Sequence, residues 1–408
     1  MRIPFHGRRA RSWALLALFV VPDPAGAGVA YELSPSLVVR EEYNSNVTLR
    51  SSNPDARFQT AVRPGLGFTA AGKQLRLDGG LAYTARRYSQ QGLDSNDWSA
   101  QATTQYRQKT QQWSLGAGFT QDSTLQTELL TSGLVQSSLK RFERFAAPSW
   151  QAAINDLTTV DVNYRYSIVD YGQGASSVGL FGYRLQQAGA SLAYLASPAD
   201  RISLRSSLLY YRTRDETTKS DDRSLSLGYD HEFSSVTRFG ASLGIRQTET
   251  SLRQQILVFT GGGFQFVDQV SHNRKNGAVA TLDLAHSWRQ TSADLAYERA
   301  IQPSGGGNLL QNDRLTLSVG YRLQPVLSLQ TSLLFSRSRD IGDLVRTTDY
   351  DYYQFAPSVY WRVTRDWSLR TYYSYGRQNY TNQSRHAQRQ LLGVSVTYSP
   401  VTRAGQLW

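Results

Sequence analysis

Apolar and polar residues alternate along nearly the whole chain, in runs of about ten to fourteen positions that each close on a turn. A period of two is the mark of a β-strand with two unlike faces. Residues 75–85 put Leu75, Leu77, Gly79, Leu81, Tyr83 and Ala85 on one face and Arg76, Asp78, Thr84 and Arg86 on the other. Residues 315–323 set Leu315, Leu317, Val319, Tyr321 and Leu323 against Thr316, Ser318, Gly320 and Arg322. The same device predicts about eighteen strands (16–20): 36–47, 57–70, 74–86, 96–108, 111–122, 141–154, 158–170, 183–196, 201–214, 222–233, 237–249, 273–289, 292–301, 311–324, 327–339, 351–363, 367–377 and 388–398. The alternation slips in 36–47, 141–154 and 183–196.

The connections alternate in length. Short ones fall near Gly72, Thr110, Asp156, Pro198, Ser235, Gln290, Pro325 and Asp366; long ones cover 44–56, 87–95, 123–140, 171–182, 215–221, 250–272, 302–310, 340–350 and 378–387. Short turns at one end and long loops at the other predict an all-β, transmembrane up-and-down antiparallel β-barrel of the bacterial outer membrane, over residues 31–398. Tilted strands of about 9–11 residues suffice to cross the bilayer. The aromatics sort to match. Trp150, Phe233, Phe239, Trp288, Trp361 and Trp367 lie beside the short turns in phase with the apolar face; Tyr43, Tyr83, Trp98, Phe119, Tyr166, Tyr210, Phe335, Tyr353 and Tyr375 lie at the long-loop end. Two such rings are the girdles expected at two membrane interfaces.

The ends of the chain fit that destination. Basic residues 2–11, an apolar run from Trp13 to Val21 and the Ala25-Gly26-Ala27 site read as a signal peptide over 1–27. Gly393, Val396 and Tyr398 follow a G-x-x-Φ-x-Φ spacing that resembles the C-terminal signal read by the outer-membrane assembly machinery, with Leu391 and a tail over 399–408 as departures from it. No later run of apolar residues is long enough for a membrane helix. The chain contains no cysteine, which excludes disulfides, thiolate metal sites and iron–sulfur clusters.

Charge then points into the barrel. Lys and Arg number 44 against 32 Asp and Glu, a net charge of +12. If the apolar face meets lipid, alternation turns Arg76, Arg86, Arg107, Arg165, Arg205, Arg246, Arg314, Arg322, Arg362 and Arg370 inward, together with Arg40, Arg57, Arg63, Arg238 and Arg389. The inward acids are fewer: Glu42, Asp78, Asp161, Asp230, Glu232, Asp283, Asp294 and Glu298, enough to neutralise about half. Guanidinium groups suit carboxylate, sulfate and phosphate, and a basic pore concentrates anions. Six further arginines, Arg87, Arg212, Arg299, Arg337, Arg339 and Arg377, fall on the lipid phase near the long loops, where lipopolysaccharide phosphates or snorkelling would accommodate them.

Loop 250–272 is unusually apolar, with Phe259, Gly262, Phe264 and Phe266 at its centre. Two arrangements fit: a hairpin above the membrane, or an inward fold acting as a gate. Residues 349–355 add an aromatic surface suited to sugar rings. Catalysis finds no support. His231, His272, His286 and His386 form no triad spacing, and no nucleotide, zinc or calcium motif occurs. The expectation is a non-enzyme with no cofactor and no metal.

The segment Glu42-Tyr43-Asn44-Ser45-Asn46-Val47 resembles the opening of outer-membrane β-barrel proteins found with exopolysaccharide and exosortase (PEP-CTERM) loci. An arginine-lined barrel of this size is also similar in plan to the alginate export porin. The resemblance implies export of a polysaccharide across the outer membrane, and the inward arginines point to an anionic one. The alternative is a general or anion-selective diffusion porin for small nutrients. The partners expected are outer-membrane lipid and lipopolysaccharide, the assembly machinery, the polysaccharide, and periplasmic or inner-membrane export components. Nucleic acid is not among them.

Overall fold

A computed structural model describes residues 29–129, 138–259, 264–341, 349–381, 385–400 and 405–407. The leader lies outside these residues. Eighteen long strands follow one another: β1 (Val29–Asn44), β2 (Arg57–Ala71), β3 (Leu75–Tyr88), β4 (Ser95–Arg107), β5 (Gln111–Ser123), β6 (Lys140–Ala153), β7 (Thr158–Tyr171), β8 (Tyr183–Leu195), β9 (Asp200–Thr213), β10 (Thr218–Ser234), β11 (Thr237–Phe259), β12 (Phe264–Ser287), β13 (Thr291–Pro303), β14 (Leu309–Gln324), β15 (Leu327–Asp340), β16 (Tyr350–Arg362), β17 (Trp367–Tyr380) and β18 (Arg385–Tyr398). Each pairs antiparallel with the next, and β1 pairs with β18 from Leu37↔Tyr398 to Asn44↔Leu391. The sheet is therefore a closed barrel, and closure removes the unpaired edges that hydrocarbon would not tolerate. A strand of 13 residues such as β4 spans about 43 Å; tilted by about 45° it rises about 30 Å, the thickness of a bilayer core.

The inside–outside alternation stays in phase round the ring. Arg40 on β1 stands opposite Ser395 on β18, and Ser395 opposite Arg370 on β17. On the outer face, Leu33, Leu81, Leu115, Leu204, Leu243, Leu333 and Leu392 are exposed, as are the girdle residues Trp98, Trp288, Trp361 and Trp367. Pairs of rings mark both girdles: Trp113 with Trp150 (5.8 Å) and Trp367 with Tyr398 (4.8 Å) near the short turns, Tyr83 with Trp98 (4.4 Å) and Phe335 with Tyr353 (5.1 Å) near the long loops. So large an apolar belt is stable only in lipid. The protein is a bacterial outer-membrane β-barrel.

Three prolines mark interruptions in the ladders. Pairing of β16 with β17 stops after Phe355↔Tyr375 and resumes at Ser358↔Tyr372, across Pro357; β2–β3 skips at Pro64 and β6–β7 at Pro148. Proline has no amide proton to give the ladder.

The slip in 36–47 also has a local cause. β1 ends at Asn44, whose Oδ1 accepts from the Asn46 amide at 3.0 Å, and the chain turns inward there. Of the two arrangements expected for loop 250–272, the structure shows the hairpin: residues 250–259 and 264–272 are strand. The β11–β12 ladder runs unbroken from Thr237↔His286 to Phe259↔Phe264, past the last pairing of β11 with β10 at Leu252↔Thr218. A short strand, β19 (Gly405–Leu407), pairs with the start of β1.

Candidate functional site: the lumen and its outer plug

The mouth at the long-loop end is filled by inward-folded loops. The connection after β5 opens with α1 (Thr124–Thr127), capped by Ser123, whose Oγ accepts from the Leu125 amide. Glu128 and Leu129 follow, 1% and 9% exposed. Glu128 accepts from the Tyr171 hydroxyl on β7 at 2.7 Å and faces Arg141 on β6 at 3.6 Å. Leu129 joins a buried cluster with Leu49, Ala387 and the β16 residues Tyr350 and Tyr352. β7 and β16 are nine strands apart in a ring of eighteen, so two adjacent loop residues engage opposite walls.

Two more loops contribute to the plug. After β1, Asn46 donates to the carbonyls of Arg50 (2.9 Å) and Gln388 (3.1 Å) and accepts from the Arg50 amide (3.0 Å). This holds Val47 in a cluster with Leu93 and Leu125, and Leu49 in the cluster of Leu129. Leu49 takes a left-handed φ of 47°, rare for a branched side chain and tolerated here by complete burial. After β13, Tyr211 donates to the Ser304 carbonyl (2.9 Å) and the Phe181 amide to the Gly305 carbonyl (2.7 Å). Gly305 sits so close over Tyr171 and Glu128 that a Cβ would overlap the Tyr171 hydroxyl. Beneath, Val169, Tyr183, Leu185, Leu209, Tyr211, Leu309 and Ile341 form a dry cluster.

Below the plug the lumen is polar, and its arginines divide by partner. Arg76 pairs with Asp78 at 2.6 Å, Arg86 with Asp97, and Arg165 with Glu143 at 3.2 Å while stacking 4.0 Å over Phe145. Arg246 is 5% exposed and donates to Thr248 (2.6 Å) and Gln311 (2.8 Å), with Asp222 at 3.8 Å. Gly277 leaves the room its guanidinium occupies. These four brace the wall. Arg107 donates to Gln112, Arg362 to the Pro325 carbonyl at 3.0 Å and Arg370 to Ser358 at 3.4 Å. Among the described residues, no acid pairs with Arg107, Arg205, Arg314, Arg322, Arg362 or Arg370.

Charge is unevenly spread round the wall. Arg314, Arg322, Arg362, Arg370, Arg389, Arg40 and Arg63 line β14 to β2, where Glu42 lies 3.6 Å from Arg40. Asp230, Glu232, Asp283, Asp294 and Glu298 line β10 to β13, together with Arg238 and Arg246. Within the basic sector, a recess of about 310 Å³ opens beside Pro357, where the ladder is interrupted. Arg40, Arg370 and Arg389 surround it with Tyr372, Gln330, Gln354 and serines. Arg40 and Arg370 lie 6.0 and 5.5 Å from the Tyr372 ring centre, and Arg389 donates to Tyr352 at 3.0 Å, directly under the plug. The Nε donors of Arg40, Arg314 and Arg389 are buried without a partner among the described residues.

The remaining sequence candidates fall elsewhere. Phe259, Phe264 and Phe266 stand on the protruding β11–β12 hairpin, 65%, 70% and 73% exposed; Gly262 lies outside the described residues. Among the described residues, those that enter the mouth come from the loops after β1, β5 and β13, with Leu93 after β3 and Leu180 and Phe181 after β7 packed against them. Gly393, Val396 and Tyr398 lie on the closing strand: Val396 and Tyr398 face outward, while Gly393 faces the lumen and seats the Tyr372 ring, which a Cβ would overlap. Sequence reading missed the plug, although one signal was present: inward positions Val169, Leu185, Leu209 and Leu310 are apolar where a wet lumen would be polar.

No family model matches the chain, and no curated protein matches it in sequence. Solved structures similar in fold include the ferric-catecholate import receptor Fiu of E. coli K12 in an open form, at 8% identity and a TM-score of 0.49, covering 92% of this chain and 82% of that one. They include OccAB2 of Acinetobacter baumannii (10%, TM-score 0.45, 90% and 98%) and OpdO of Pseudomonas aeruginosa (14%, TM-score 0.46, 93% and 98%).

Proposed function

We propose that this barrel is an outer-membrane pore that exports an anionic exopolysaccharide through its arginine-lined lumen, the loop plug closing the outer mouth at rest. The observation that carries this reading is the recess of Arg40, Arg370 and Arg389 around Tyr372 beneath the plug. Guanidinium groups pair with the carboxylate or sulfate of a charged sugar, and an aromatic face accepts its ring. Exposed and partly unpaired arginines from Arg389 down to Arg362 and Arg322 supply a series of weak sites, as conduction requires sites that release as readily as they bind.

The test is deletion of the gene, with secreted and periplasmic polysaccharide quantified separately, and rescue by wild type or by Arg40→Ser/Arg370→Ser/Arg389→Ser. Retention in the periplasm, relieved by wild type and not by the triple variant, is the outcome expected. Unchanged secretion overturns export. Lost uptake of a small anion in the same deletion would assign the lumen to a diffusion porin instead.

A further inference from the structure

On the outer surface, the ladder sets Arg144 (β6), Ile168 (β7), Arg184 (β8), Arg212 (β9) and Lys219 (β10) opposite one another in one transverse row. The next outward-facing row toward the short turns is Ala146, Tyr166, Gln186, Tyr210 and Asp221. Tyr166 and Tyr210 belong to the long-loop girdle, so the cations lie one step of about 7 Å beyond it, at headgroup depth. Like charges directly opposite on neighbouring strands destabilise a sheet, and here three adjacent strands carry them.

Elsewhere on this rim most outward arginines are neutralised by the protein, and Arg377 is hydrogen-bonded to Asn379 at 3.0 Å. Arg299 pairs with Asp313 (2.5 Å), Arg337 and Arg339 with Asp351 (3.1 Å each), and Arg87 approaches Asp94 (4.0 Å). Within the row, Arg212 has Asp221 at 2.5 Å and Lys219 has Glu216 at 3.6 Å. Arg144 and Arg184 are exposed, and among the described residues neither has a hydrogen-bond or ion-pair partner.

We propose that this row on β6–β10 binds the phosphates of outer-leaflet lipopolysaccharide. Opposed side chains about 5 Å apart let one phosphate bridge Arg184 and Arg212, and Arg144, two strands away, reaches a second anionic group at about 10 Å. The bound anions neutralise Arg144 and Arg184, the two cations of the row to which the described residues offer no acid. The inference is independent of what the lumen transports.

The test uses the full mature barrel in detergent, with diphosphoryl lipid A as probe and retained lipid read by native mass spectrometry. Dephosphorylated lipid A and inorganic phosphate are the comparison ligands. Arg144→Gln/Arg184→Gln is expected to lose retention by about tenfold or more, while Arg299→Gln, on an acid-paired site, retains the lipid as wild type does. Heat-modifiable migration checks folding. Arg144→Lys/Arg184→Lys keeps the charge should the glutamines impair folding, and is expected to bind more weakly than wild type for want of bidentate bonds. Equal retention by both double variants, or by dephosphorylated lipid A, would overturn the proposal. Inorganic phosphate held as tightly as lipid A would do the same, by making the row a site for soluble anions.

Discussion

Tyr171 donates its hydroxyl proton to Glu128 at 2.7 Å, and this bond ties the loop that crosses the lumen to the wall of β7. The acceptor is 1% exposed, so its loss leaves the phenol unpaired in a dry place. A buried hydrogen bond to a charged group contributes about 1.5–3 kcal/mol. Breaking it in Tyr171→Phe or Glu128→Ala therefore shifts the closed-to-open balance of the plug by about tenfold to a hundredfold. Single-channel recording is expected to show longer or more frequent openings in either variant. Gly305→Val, which forces a side chain into the same contact, should act in the same direction. Open probability unchanged in all three would mean that the plug is not held there.

Gly393 and Tyr372 make a second prediction. The glycine faces the lumen and the ring lies over it, so Gly393→Ala forces a clash, which Tyr372→Ala relieves. Overpacking of this kind costs about 1–3 kcal/mol. Folded barrel in the outer membrane, measured by heat-modifiable migration, is expected to fall in Gly393→Ala and recover in the double variant. If Gly393 serves only as a sequence signal for assembly, Tyr372→Ala gives no recovery.

The β11–β12 hairpin is predicted to be dispensable for closure. Its tip residues Leu257, Phe259, Phe264 and Phe266 are all more than half exposed, and pairing continues outward from the wall. Removing residues 254–269 and closing the strands with an Asn-Gly turn should leave folding and channel conductance unchanged. A rise in conductance would show that the hairpin, and not only the inward loops, obstructs the mouth.

The strands were legible because a barrel imposes a period of two on every one, with short turns at one end. Even Pro357, an irregular residue in sequence, falls within a strand and marks an interruption in its ladder. Side-chain direction followed from the same period, so Arg370 and Arg389 could be turned inward before their neighbours were known. What alternation does not encode is who meets whom across the lumen. Glu128, Leu129 and Leu49 lie in connections without periodicity, and their partners come from strands distant in sequence. Nor does alternation tell braced arginines from free ones: Arg246 and Arg322 look alike in sequence, yet one is enclosed by Thr248, Gln311 and Asp222 and the other is exposed. Of the two arrangements open for 250–272, the β11–β12 ladder selects the hairpin, since pairing continues outward to Phe259↔Phe264.

The central claim is an arginine-lined path for an anionic polymer beneath a plug. The most direct measurement is single-channel recording of the plug-weakened Glu128→Ala barrel, with an oligouronate added on the short-turn side and neutral dextran of matched length as comparison. The account predicts anion selectivity and brief oligouronate blockades that shorten as salt is raised and disappear in Arg40→Ser/Arg370→Ser/Arg389→Ser. Blockades by dextran equal to those by oligouronate, or oligouronate blockades unchanged in the triple serine variant, would contradict it.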